Sequence, residues 1–105
     1  GSAPATNTIG AYFYEGRLVP KDPVTARKWF EQAAADGDSD AMYNLGAMMM
    51  KGEGGEADRT RAWVWLKLAE KGENPDATAA VRVLEARMTP EEKAQAQRLL
   101  APANS

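Results

Sequence analysis

No cysteine and no histidine occur among the 105 residues. The first absence excludes disulfides and thiolate chemistry, and it leaves the redox compartment open. The second removes the usual general base and the commonest zinc ligand together. A dominant charge is missing too. Lys and Arg number 13 against 15 Asp and Glu, mixed along the chain, for a net charge of −2. That balance offers nucleic acid no broad basic field, and it is not strongly acidic either. No apolar run approaches the roughly 20 residues that span a bilayer, so direct membrane insertion is not expected. No segment sustains a two-residue alternation, so no strand is expected.

What is present suits a helical core. The chain is 44% hydrophobic and 27% charged, enough to bury a core and stay in solution. Its length fits one domain or a piece of a longer array. Gly1-Ser2 reads as a cloning scar, and neither an initiator Met nor a signal peptide follows it, which points to an excised piece or a mature chain.

The strongest signal is an internal repeat. Ile9-Gly10-Ala11-Tyr12-Phe13-Tyr14-Glu15-Gly16 aligns with Leu45-Gly46-Ala47-Met48-Met49-Met50-Lys51-Gly52 at an offset of 36. The same offset carries Asp22 onto Asp58, Ala26 onto Ala62, Trp29 onto Trp65, Phe30 onto Leu66 and Ala33 onto Ala69. Pairing Gly37 with Gly72 implies a slip to 35, as if the second copy had lost a residue. Beyond it, Asp38-Ser39-Asp40-Ala41 matches Asn74-Pro75-Asp76-Ala77. A register kept over this many positions indicates duplication.

Each copy reads as two helices. Ala26, Trp29, Phe30, Ala33 and Ala34 form one apolar stripe at helical spacing, and Ala62, Trp65, Leu66 and Ala69 repeat it. Asp22-Pro23 and Asn74-Pro75 each look like an N-cap followed by proline at the first helical position. Gly16, Gly37, Gly52 and Gly72 follow helix ends, where a left-handed residue commonly closes the last turn. Thr89-Pro90-Glu91-Glu92 is a capping box. The pattern predicts six helices, over 5–15, 22–36, 38–51, 57–71, 76–87 and 90–100. The last is amphipathic, with Ala96, Leu99 and Leu100 on its apolar side.

Ala41, Leu45, Gly46, Gly52, Ala62, Trp65, Leu66, Ala69 and Gly72 carry a pattern that resembles the Sel1-like repeat, a relative of the tetratricopeptide repeat. So do Ile9, Gly10, Phe13, Gly16, Ala26, Trp29, Phe30, Ala33, Ala34 and Gly37. The resemblance covers roughly residues 5–77. It implies an all-α, right-handed superhelical stack of antiparallel helix pairs. The expected layout is 1–4 as scar and disordered start, 5–37 and 38–73 as two repeats, 74–100 as a divergent third pair with its capping helix, and 101–105 as a disordered tail. Met49 departs from the pattern, standing where an aromatic is usual. Val81-Arg82 also departs, standing where Leu-Gly would be. Gly10 and Gly46 imply a close helix approach, placed here near the Trp of the partner helix. Repeat stacks need a closing unit with a polar outer face, and the Thr89 helix fits that role.

The resemblance also implies that the first helix of each pair lines a concave groove. Asn7, Ala11 and Tyr14 on one helix, and Tyr43, Ala47, Met50 and Lys51 on the next, are then the candidate lining. Three successive methionines span about 200° of a helix, so one buried stripe cannot hold Met48, Met49 and Met50 together. Met50 either lines the groove or packs against the next pair. Met48, Met49, Trp29 and Trp65 are expected in the core, and Trp63 against the terminal helices. Asp36, Asp38 and Asp40 read as helix-end caps rather than a cation site. "KGEGGEAD" lacks the P-loop and calcium-loop patterns and reads as a plain connection. Lys51 is either a partner for a ligand carboxylate or a solvated lysine.

The function expected is non-catalytic binding of a protein or peptide, as a scaffold module of a larger bacterial protein. No cofactor, metal or nucleic acid is expected. The stretch from "WVWLKLAEKG" to "MTPEEKAQAQRLL" is similar to the ends of bacterial envelope proteins with such repeats, which favours the periplasm or envelope over the cytoplasm. One alternative is a structural or self-associating module acting through the N-terminal repeat. Another is the cell-wall or β-lactam hydrolysis suggested for cysteine-rich relatives. The missing cysteines and histidines weigh against it.

Overall fold

The computed structural model describes residues 2–101, which form six helices. They are α1 (Ala3–Glu15), α2 (Pro23–Ala35), α3 (Ser39–Lys51), α4 (Arg59–Lys71), α5 (Ala77–Glu85) and α6 (Pro90–Leu100). No strand occurs among the described residues. The stack measures 41 × 24 × 21 Å. Helix α1 pairs with α2 and α3 with α4, while α2 packs on α3 to join the two repeats. First helices are neighbours as well, α1 beside α3 and α3 beside α5.

Local chemistry sets most helix ends. The side chains of Ser2, Asp22, Asp38 and Asp58 each accept a backbone N–H of the following first turn. Ser2 therefore starts α1 at Ala3, two residues earlier than the apolar pattern predicts. Ala3 and Pro4 belong to the first turn rather than to a disordered start. Gly1 and residues 102–105, expected as scar and tail, lie outside the described residues. Thr89 and Glu92 close the expected capping box of α6.

Helix α5 departs from expectation. It begins at Ala77, and its N-cap position, Asp76, makes no side-chain cap. Asn74 is instead a buried link. Its Nδ2 donates to Asp40 Oδ1 of the second repeat at 2.8 Å, and its Oδ1 accepts from Asp76 N at 2.9 Å. Asp38 caps α3, and Asp40 holds Asn74, so two members of the acidic cluster have structural tasks.

The proposed slip between the copies disappears. Asp36 and Gly72 occupy equivalent C-cap positions, with φ −85° and −82°. The left-handed residue that follows is Gly37 in the first copy (φ 98°) and Glu73 in the second (φ 68°). Asp38 N donates to Ala33 O, as Asn74 N donates to Ala69 O. The offset of 36 thus holds throughout, and no residue was lost. Glycine-to-glycine matching misled because a non-glycine holds the left-handed position in the second copy.

The core runs from Phe30, Ala33 and Ala34 through Leu45, Met48 and Met49 to Leu66, Trp63, Val81, Leu84, Met88 and Ala96. Trp29 and Trp65 are only half-buried, contrary to expectation, while Trp63 is 5% exposed. Helix α4 is covered by α5 and α6 as well as by α3, so its core face is wider than one stripe and takes in Trp63. Trp63 belongs to the same core cluster as Val81, Leu84, Met88 and Ala96 of the terminal segment. Its Nε1 donates to Glu85 Oε2 at 2.9 Å.

Helix α6 packs chiefly on α4 rather than completing a third antiparallel pair with α5. Ala96 is fully buried and Leu100 packs against the core, but Leu99 is 48% exposed. Arg59 of α4 donates to the Arg87 carbonyl and lies 3.9 Å from Glu92, which ties the α5–α6 turn back to α4. Removal of residues 89–105 is expected to cause aggregation or loss of cooperative unfolding, because it uncovers the Trp63 side of α4. Light scattering and a thermal melt check this. A monomer with unchanged melting would show that α6 is dispensable.

Candidate functional site

A hollow of about 260 Å³ lies between α1 and α3. Ala11, Tyr14 and Glu15 line it from α1, and Tyr43, Asn44, Ala47, Met48 and Lys51 from α3, with Phe30 at its base. The two alanines matter because small side chains on both helices leave the space between them unfilled. Five of the seven sequence-chosen residues meet here: Ala11, Tyr14, Tyr43, Ala47 and Lys51. Asn7 stands beside it, its Oδ1 accepting from Asn44 Nδ2 at 3.0 Å and so tying α1 to α3. Met50 does not line this hollow. It is half-buried and packs against the core. Met48 and Met49 are buried as expected.

Tyr14 is fixed at both ends. Its ring is tilted 54° to that of Phe30, with centroids 6.5 Å apart. Its hydroxyl donates to Glu53, at 2.9 and 3.1 Å from the two carboxylate oxygens. Burial raises the pKa of Tyr14 above its ordinary 10.0, and the hydrogen bond to Glu53 and that carboxylate's charge add to the rise. The neutral phenol is therefore the favoured state in the folded chain. The linked stability is complete below pH 10 and is lost as pH rises through the higher folded value. Glu53→Gln is expected to lower the Tyr14 pKa relative to the native chain. Ultraviolet titration of phenolate absorbance, with Tyr14→Phe to assign the signal, checks it. An unchanged titration would mean that Glu53 does not hold the phenol.

Sequence reading missed Glu53, Asn44 and Glu15. Glu53 sits in a connection with no periodicity, so nothing in the sequence shows that it folds back onto α1. Asn44 had a usable signal, since Asn44, Ala47 and Lys51 follow one helical line at i, i+3 and i+7.

A second, wider hollow of about 530 Å³ lies beside the α3–α4 connection, bordered by Arg27 and Lys28 of α2 and Arg61 of α4. Glu31, Glu56 and Asp58 share it, so its charge is mixed. The Arg27 guanidinium is engaged, donating to the carbonyls of Glu53 and Glu56 at 3.2 and 3.4 Å. Among the described residues no group of acidic side chains is arranged to hold a metal ion. No helix of the described residues is long and apolar enough to cross a membrane.

The Sel1 repeat profile matches residues 3–38 and 39–74, the two units that the hydrogen-bond register defines. The chain belongs to the Sel1 repeat family. Repeats of this family generally serve as non-catalytic scaffolds for protein–protein interaction. A protective antigen of uropathogenic Escherichia coli strains, which displays an SLR fold, superposes with a TM-score of 0.92. It is 30% identical and covers 97% of this chain and 22% of its own. A Sel1 repeat protein from Oxalobacter formigenes gives a TM-score of 0.77 at 34% identity, over 80% of this chain and 24% of that one. The alginate biosynthesis protein AlgK of Azotobacter vinelandii is 23% identical, over 88% of this chain and 28% of its own length. The Sel1 repeats here thus span about a quarter of each relative's length.

Proposed function

We propose that this Sel1 repeat chain is a protein-binding scaffold module of a larger bacterial protein, and that the hollow between α1 and α3 receives an apolar side chain of a peptide segment. The observation that carries the reading is the convergence of Tyr14, Tyr43, Ala11, Ala47 and Lys51 on one hollow. Its walls are aromatic and its base is apolar, while Lys51 and Glu15 at its rim are exposed and charged. Aromatic walls with a polar rim match the anatomy of interface pockets. The Tyr14 hydroxyl is already bound to Glu53, so its ring is presented without an unpaired polar atom. Resemblance to a protective antigen and to a protein of alginate biosynthesis supports a setting in the bacterial envelope or periplasm.

The test separates binding from folding. A partner is captured from bacterial lysate on the intact chain and then measured against variants. Tyr43→Ala is expected to weaken binding by about 2 kcal/mol, the size of an interface hot spot. Its effect on the melting temperature should be much smaller than that of Leu45→Ala, whose fully buried side chain is worth a few kcal/mol, on the order of 2–5. Normal folding with unchanged binding would move the partner to another face.

A further inference from the structure

The α3–α4 connection does more than join two helices, because it grips the repeat before it. The Glu53 carboxylate takes the Tyr14 hydroxyl, and the Glu53 carbonyl takes Arg27 Nη1 at 3.2 Å. Gly54, at φ 71°, presses on the first turn of α2. A Cβ at Gly54 would collide with the Pro23 carbonyl oxygen and lie 2.8 Å from its carbon. Gly55 lies under the Arg27 guanidinium, where a Cβ would lie 3.1 Å from Cζ.

The α1–α2 connection occupies the same place in the first repeat, and each of these residues is replaced. Arg17 stands for Glu53, Leu18 for Gly54 and Val19 for Gly55. The backbone is nevertheless the same. Gly16 and Gly52 share φ 73° and 76°, and Leu18 holds φ 66° against 71° at Gly54. Asp22 N donates to Phe13 O as Asp58 N donates to Met49 O. A leucine in the left-handed region is disfavoured by its own Cβ, and this one is 89% exposed. Arg17 turns aside, 5.6 Å from the Tyr12 ring and 3.5 Å from Glu15.

We propose that the Arg17–Val19 connection ends the stack: it bars a further Sel1 repeat placed before this one from docking its second helix on α1 in the register that α2 uses on α3. In that register the counterpart of the Pro23 carbonyl falls on the Leu18 Cβ. Both groups are fixed to backbone, so no rotamer change relieves the collision. The counterpart of Tyr14 loses its carboxylate acceptor, because Arg17 stands at the Glu53 position and turns aside to Glu15. The bar acts whatever chain precedes Gly1, and a partner on the α1 face has to use another geometry.

The test adds a copy of residues 3–38 directly before Ala3 of the whole chain. One version keeps Arg17, Leu18 and Val19 in the original first repeat; the other carries Arg17→Glu, Leu18→Gly and Val19→Gly there. In the first, amides of the added second helix should exchange at least tenfold faster than the same helix of the original repeat. The urea m-value should match that of the unextended chain. In the second, the added helix should gain at least tenfold protection, and the m-value should rise as the added repeat joins one cooperative transition. Leu18→Gly alone, which places glycine at a positive φ, keeps the comparison available should the triple variant fold poorly. Equal protection in both versions, whether fast or slow, would overturn the proposal.

Discussion

Gly46→Leu is expected to destabilise the chain by about 3 kcal/mol, although glycine is a poor helix former and leucine recovers roughly 1 kcal/mol of propensity. A Cβ at Gly46 would lie 2.8 Å from Leu66 Cγ and 3.2 Å from the Ala62 carbonyl oxygen. Leu66 is itself fully buried, and the Ala62 carbonyl is α4 backbone, so neither has room to withdraw. The helices must separate there, which loosens the packing of α3 on α4. For a chain of this size, the loss should lower the melting temperature by about 10–20 °C. Gly46→Ala should show a smaller fall, since it adds only the first of these atoms. Thermal melts of both variants check the order. A variant with leucine that melts at or above the native temperature would show that α3 and α4 do not meet through Gly46.

Trp63→Ala is expected to cost about 3–5 kcal/mol, while Trp65→Ala should cost less than half as much. Trp63 is 5% exposed, belongs to the core, and donates its indole N–H to Glu85 of α5. Removal leaves a cavity where the second repeat meets the terminal helices. Trp65 is half-buried, so water already reaches much of its surface. Trp63→Phe should fall between them, keeping most of the packing but dropping the Glu85 hydrogen bond. Urea unfolding followed by circular dichroism, with equal m-values required for comparison, checks the ranking. Equal costs for the two alanine variants would place the joint at Trp65 and away from α5 and α6.

Much of the site was legible because helical periodicity puts distant letters on one line. Ala11 and Tyr14, and Tyr43 and Ala47, were placed on facing first helices from spacing and resemblance, and the structure sets them around one hollow. Met50 shows the limit of that reading. Its angular position on α3 does not reach the hollow; it is half-buried and packs against the core. Glu53 shows another limit, because a carboxylate in an aperiodic connection has no predictable direction.

The sequence by itself determined the duplication, the two-helix unit, the capped starts of α2 and α6, and the close approach at Gly10 and Gly46, which at Gly46 is to Leu66 rather than to the Trp expected there. Each of these rests on local chemistry or on a period of a few residues, which the order of the residues carries directly. Only the tertiary structure decided that Trp65 is left half-buried, that α6 lies on α4, that Glu73 takes the left-handed turn of Gly37, and that Leu18 faces outward where Gly54 is gripped. Those outcomes depend on which surfaces meet between repeats. One repeat's sequence is nearly blind to that, because identical backbones accept different side chains until a neighbour arrives to exclude them.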